Sequence, residues 1–166
     1  YVNVVYLPEV LGEIGITATF KVGIFLATMG IAAAITASQY EKVKRRLDYQ
    51  RIVPISFIVW SGGFGLIFLT SYYLFYGLGV VMFGIGQGLM LPTLMLWIGD
   101  VVSTSFLGRF SSYLTTFGFL GQFLTPVIFA QVSSSLGVSE VFLFASIVSI
   151  VGLLISLFNL FRKSQA

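Results

Sequence analysis

An all-helical bundle embedded in a lipid bilayer is the fold class this sequence predicts, and three observations point to it. The chain is 57% hydrophobic and only 9% charged, against roughly 25% charged in a typical soluble domain. A soluble chain of 166 residues needs a polar surface around its core, and the polar material for one is missing. Five long apolar runs, each near or above the ~20 residues that cross hydrocarbon as a helix, take up most of the length. Basic residues, finally, gather on alternate loops.

Residues 1–11 read as the tail of a helix, ended by Pro8 and the cluster Glu9, Gly12 and Glu13. Position 1 is Tyr1, already inside an apolar run, so the chain reads as a piece of something longer on its N-terminal side. The second span covers residues 20–38, followed by the loop "QYEKVKRRLDYQR". The third span covers 52–71 and the fourth 72–102. After the loop "STSFLGRF" the fifth span covers 111–131. "SSSLGVSE" makes a turn, the sixth span covers 141–161, and "RKSQA" is the tail.

Counting loops alternately, one side holds eight bases: Lys42, Lys44, Arg45, Arg46, Arg51, Arg109, Arg162 and Lys163. The other side holds Lys21 alone. This split predicts that the Arg/Lys loop, the Arg109 loop and the C-terminus are cytoplasmic. "KVKRR" also resembles a nucleic-acid patch, but it lies between two spans where orientation demands positive charge, so no nucleic acid is expected. The chain has no cysteine and no histidine. Thiolate nucleophiles, disulfides and the usual imidazole base are thereby excluded, and no nucleophile–base constellation remains. Neither catalysis nor a metal or other cofactor is expected.

The stretch "MFGIGQGLML" poses the sharpest question, because Gly84, Gly86 and Gly88 invite a phosphate-loop reading. Leu89 stands where a dinucleotide fingerprint needs its third glycine, and no lysine follows for a Walker loop. Small residues at helical spacing instead mark close backbone approach in lipid. Gly77, Gly84 and Gly88 share such a face. So do Gly23, Ala27, Gly30, Ala34 and Ala37 in the second span, and Ser111, Thr115, Gly118, Gln122 and Thr125 in the fifth. The third and sixth spans lack such stripes. The second, fourth and fifth spans are therefore expected to face protein or a cavity, and the third and sixth mostly lipid.

With those residues in view, "GIGQGLMLPTLMLWIGD" followed by "LGRFSSYLTTFGFLGQFLTPVIF" resembles the tenth and eleventh helices of major facilitator superfamily transporters, in particular drug- and sugar-efflux members. "YEKVKRR" resembles the degenerate second copy of that superfamily's cytoplasmic loop motif, with Glu41 and Val43 in place of the usual Asp and Gly. Leu107 stands where an arginine is common, which leaves Arg109 to carry any charge role there. The resemblance implies an all-α C-terminal six-helix bundle of a twelve-helix fold, running from the end of helix 7, only partly present, through helix 12. It implies an N-terminal bundle as partner, a small-molecule substrate, and an inner (plasma) membrane of a bacterial or archaeal cell. Helices 7 and 10 would line a central cavity, 8 and 11 would meet the other half, and 9 and 12 would stay peripheral. The function implied is secondary active transport, read as efflux by proton antiport with alternating access. An importer or uniporter of the same fold, or a non-transporting membrane scaffold or sensor, stand as alternatives.

Candidate site residues follow. Gln87 and Gln122 are the polar side chains nearest the middle of their spans. They are read as substrate contacts, with interhelical hydrogen bonds of about 1 kcal/mol or less as the alternative. Asn3 and Tyr6 are expected to rim the cavity, or else to be ordinary polar residues near a loop. Asp100 is expected to form a cytoplasmic gate by pairing with Arg109 or the basic loop, with simple solvation as the alternative. Trp97 suits an interfacial belt. Pro92 and Pro126 are expected to kink their helices. None of the six acids falls in the middle third of a span. If protons are the coupling ion, the carboxylate that carries them is therefore expected in the N-terminal half.

Overall fold

The computed structural model describes residues 1–164, and no strand occurs among them. Gln165 and Ala166 of the tail, and the side chain of Lys163 from the charge count, lie outside the described residues. The elements are α1 (Val2–Glu13), α2 (Thr19–Ser38), α3 (Tyr40–Lys44), α4 (Tyr49–Leu69), α5 (Tyr73–Val101), α6 (Thr104–Leu136) and α7 (Val138–Ser164). Among the described residues five helices, all but α1 and α3, are long and apolar enough to cross a membrane.

Three boundaries depart from the sequence expectation. Pro8 does not end α1 but lies inside it. The stop is Gly15, in the left-handed region at φ 82°. Its N–H donates to Gly12 and that of Ile16 to Leu11, a Schellman closure that a side chain on residue 15 would strain. The basic loop contains a further helical turn, α3, held by Tyr40, which is buried and hydrogen-bonded to Thr93 at 2.9 Å. The loop before the fifth span is mostly helix. Ser103 is extended, α6 starts at Thr104, and Arg109 sits on a helix, not in a loop. At 33 residues α6 is about 50 Å long, well beyond ~30 Å of hydrocarbon.

α2, α5, α4 and α7 pack in that order, and α1 joins them at the end where Glu13 meets Ser139. The core lies there. Leu7, Val10 and Leu11 of α1 are fully buried with Ile67, Val80, Val141 and Phe142. α6 touches its neighbours sparsely, and Thr125 is its only buried residue.

The expectation that the third and sixth spans mostly face lipid needs correction, because each devotes one side to the other. On α4, Ile52, Ser56, Gly63 and Ile67 are buried; on α7, Ala145, Ser146 and Ser149 are. The Ser146 hydroxyl donates to the Ser61 carbonyl at 2.9 Å. A Cβ on Gly152 would stand 2.5 Å from the Phe57 ring. This seam is built from small residues scattered among Phe and Ile, which hid it from a search for polar stripes. The opposite sides of both helices do expose large apolar residues, including Ile58, Leu154, Ile155 and Phe158.

Candidate functional site

The glycines of α5 decide where the site forms. A Cβ on Gly84 would run into the Met29 carbonyl oxygen and one on Gly88 into that of Ala33, so α5 lies directly on the α2 backbone. Gly86 turns the other way, where the Trp60 ring of α4 occupies the space of a side chain, 2.5 Å from an ideal Cβ. Helix α5 is thus clamped on two sides, and its remaining face, with Phe83, Gln87 and Leu91, looks across to α6.

Between α1, α2, α5 and α6 this leaves a cavity of about 630 Å³. That size suits a small organic molecule. Asn3, Gln87 and Gln122, from three different helices, are brought to its wall. Phe83 and Phe117 supply aromatic surface, and Gly30, Ala33, Gly118 and Gly121, with little or no side chain, leave it room. The lining residues include no acid and no base. Asn3 is fully buried, and neither its amide nitrogen nor its amide oxygen has a hydrogen-bond partner. Such a group ordinarily costs about 1–3 kcal/mol and calls for a ligand or water. Chemically the wall offers amide donors and acceptors set in apolar surroundings.

Tyr6 does not join them. It is buried in the core, edge-on to Phe129, with its hydroxyl directed to the Pro126 carbonyl at 3.4 Å. An amphipathic ring on the inward stripe of α1 packs there more completely than at a wet rim. Pro92 and Pro126 each lie inside an uninterrupted helix. Lacking an N–H, Pro126 leaves the Gln122 carbonyl without its helical donor, and Pro92 does the same to Gly88.

Asp100 and Arg109 are not brought together either. Asp100 accepts a hydrogen bond from the Tyr49 hydroxyl at 2.5 Å, while the Arg109 Nε donates to Tyr113 on its own helix at 2.8 Å. Among the described residues the one ion pair is Arg45–Glu41. Asp100 thus pairs with neither Arg109 nor a base of the basic loop, and its observed partner is a tyrosine hydroxyl on an exposed surface. Trp97 stacks on Tyr49 at 5.9 Å between ring centres.

Sequence reasoning missed Trp60. Its indole N–H donates to the Phe83 carbonyl at 3.1 Å and its ring stacks on Phe83, which lines the cavity. The only sequence signal was a tryptophan in mid-span beside a glycine-rich helix. Among the described residues no cluster of His, Cys, Asp and Glu suits a metal ion.

The model of the Major Facilitator Superfamily matches residues 1–165. Comparisons with curated proteins and with solved structures find no match.

Proposed function

The chain belongs to the major facilitator superfamily, a superfamily of membrane transporters, and from that premise we propose that it is one bundle of a secondary active transporter for small amphipathic molecules. It is a multi-pass integral membrane protein. The observation that carries the reading is the cavity, in which buried, unpartnered Asn3 stands with Gln87 and Gln122 among aromatic side chains. A scaffold or sensor built on the same helices would favour side chains packed shut across α1 and α5, and the open cavity speaks against it.

In this reading residues 1–166 form the C-terminal bundle and an N-terminal bundle supplies the opposite wall. The exposed small-residue faces of α2 and α6 support that arrangement. The basic end, with Lys42, Lys44, Arg45 and Arg46, is cytoplasmic, as is the C-terminus. Transport is export by proton antiport with alternating access of the cavity, in the inner membrane. The wall described above carries no acid, so the proton-binding carboxylate belongs to the other bundle. The test is Gln87→Ala in the full-length transporter. Ligand affinity should fall about tenfold, as expected for the loss of one hydrogen bond of about 1.4 kcal/mol, with folded yield in detergent unchanged. A collapse in yield with affinity intact would make Gln87 a packing residue and remove it from the site.

A further inference from the structure

Away from the cavity of Asn3, Gln87 and Gln122, the bundle has a further concave surface at its basic end. Two hollows meet there, one of about 530 Å³ and one of about 360 Å³, and Gln50, Trp97 and Leu160 border both. The outer hollow carries Lys44, Asp48 and Arg51. The inner one continues along Val53 and Ser156. Val53 is three residues beyond Gln50, about 4.5 Å further along α4, so the groove passes from charge to amide to apolar surface within one helical turn. It opens beside the outward faces of α4 and α7, where Ile58, Leu154 and Phe158 are exposed to the bilayer.

The charged end is organised. Lys44 Nζ lies 3.9 Å from the centre of the Tyr49 ring, and that ring stacks on Trp97. Asp100 accepts from the Tyr49 hydroxyl, which fixes the ring. Among the described residues neither the Lys44 ammonium nor the Arg51 guanidinium has a hydrogen-bond or ion-pair partner. The wall thus presents two bases against one acid, Asp48, a surplus of one positive charge.

We propose that this groove binds one anionic glycerophospholipid from the surrounding leaflet. The phosphodiester lies between Lys44 and Arg51, hydroxyls of the head group donate to Asp48 and the Gln50 carbonyl group, and an acyl chain follows Val53, Trp97 and Leu160 inward. A head group with one net negative charge neutralises the surplus; a zwitterionic one leaves it standing. Trp97, which borders both hollows, is a ring of the kind suited to the boundary between head groups and hydrocarbon. The site is independent of the substrate cavity, since none of its residues lines that cavity.

The experiment is native mass spectrometry of the full-length transporter in detergent. It is titrated with phosphatidylglycerol, with phosphatidylcholine of the same acyl chains, and with glycerol phosphate. Phosphatidylglycerol should be retained in preference to phosphatidylcholine, and glycerol phosphate should not displace it at equal concentration. Lys44→Gln with Arg51→Gln should lower its affinity about tenfold or more, two near-surface bases being lost. Lys42→Gln with Arg46→Gln, the same charge change outside the groove, should leave it within about twofold. The exposed Arg51→Gln alone should carry part of the loss even if the double variant folds poorly. Equal retention of both lipids, equal losses from the two pairs of variants, or displacement by glycerol phosphate would each overturn the proposal.

Discussion

The glycines of α5 and those of α2 and α6 look alike in sequence and do opposite things. Around Gly84, Gly86 and Gly88 there is no room for a methyl group: carbonyl oxygens of α2 and the Trp60 ring already occupy it. Around Gly23, Gly30, Gly118 and Gly121 nothing lies within 4 Å of where a Cβ would be. In lipid, where apolar burial drives little, helices hold together by close contact of this first kind. The second kind stabilises nothing within this chain. The molecule therefore has a closed side, α5 with α4, α7 and the inner face of α2, and an open side, the outer face of α2 and most of α6.

The largest effect should come from filling the closed side. Gly88→Ala pushes a methyl group against the Ala33 carbonyl and the Thr36 side chain, and neither can retreat without parting α2 from α5. Overpacking of this sort costs about 1–3 kcal/mol and occasionally more, so folded yield and melting temperature in detergent should drop sharply. Gly23→Ala should change stability by less than about 1 kcal/mol, in the stabilising direction, because alanine is the better helix former. Equal effects from the two would erase the distinction between the sides.

Much of this division was legible, and the part that was not has a physical cause. Spacing alone found the Gly77, Gly84 and Gly88 face, and that face does meet α2. Spacing also found the stripe Gly23, Ala27, Gly30, Ala34 and Ala37, but every one of these residues is exposed. The surface of α2 that meets α5 is the adjoining one, with Phe25, Met29, Ala33 and Thr36. A periodic stripe says that a helix has a narrow face; which partner takes it depends on where the other helices stand. Gln87 and Gln122 were singled out as amides in mid-span and Asn3 as a polar residue on the tail of the first helix; the structure brings all three to one wall. Tyr6 was misjudged, since an aromatic ring with a polar tip suits a rim and a core equally well. The Tyr40–Thr93 and Tyr49–Asp100 bonds join residues more than fifty positions apart, and no periodicity reveals such pairs.

A middle-sized effect should appear at the border between the two sides. Asn3 is as deeply buried as the core of α1, yet its amide is unpartnered and lies on the cavity. Asn3→Leu removes that unmet demand and keeps the branched shape of the side chain, at a somewhat larger volume that the adjoining cavity can take up. Stability without ligand should rise by about 1 kcal/mol, while ligand affinity falls about tenfold. A lower melting temperature with affinity unchanged would mean that the amide serves the fold, and that the closed side extends to the cavity edge.

The smallest effect concerns the basic end, where the two sides each hold one residue of the expected gate. Asp100 is tied to the closed side through Tyr49 of α4, and Arg109 stands on exposed α6, occupied with Tyr113. Double-mutant cycles separate the two pairings. Tyr49→Phe with Asp100→Asn should show a coupling of about 0.5–1 kcal/mol, the range of a solvent-accessible hydrogen bond to a carboxylate. Asp100→Asn with Arg109→Gln should be additive within about 0.3 kcal/mol, as for residues that share no partner. Thermal unfolding in detergent measures both. If the second cycle shows the larger coupling, Asp100 and Arg109 pair in solution, α6 closes onto α5 at the basic end, and the open side is narrower than described above.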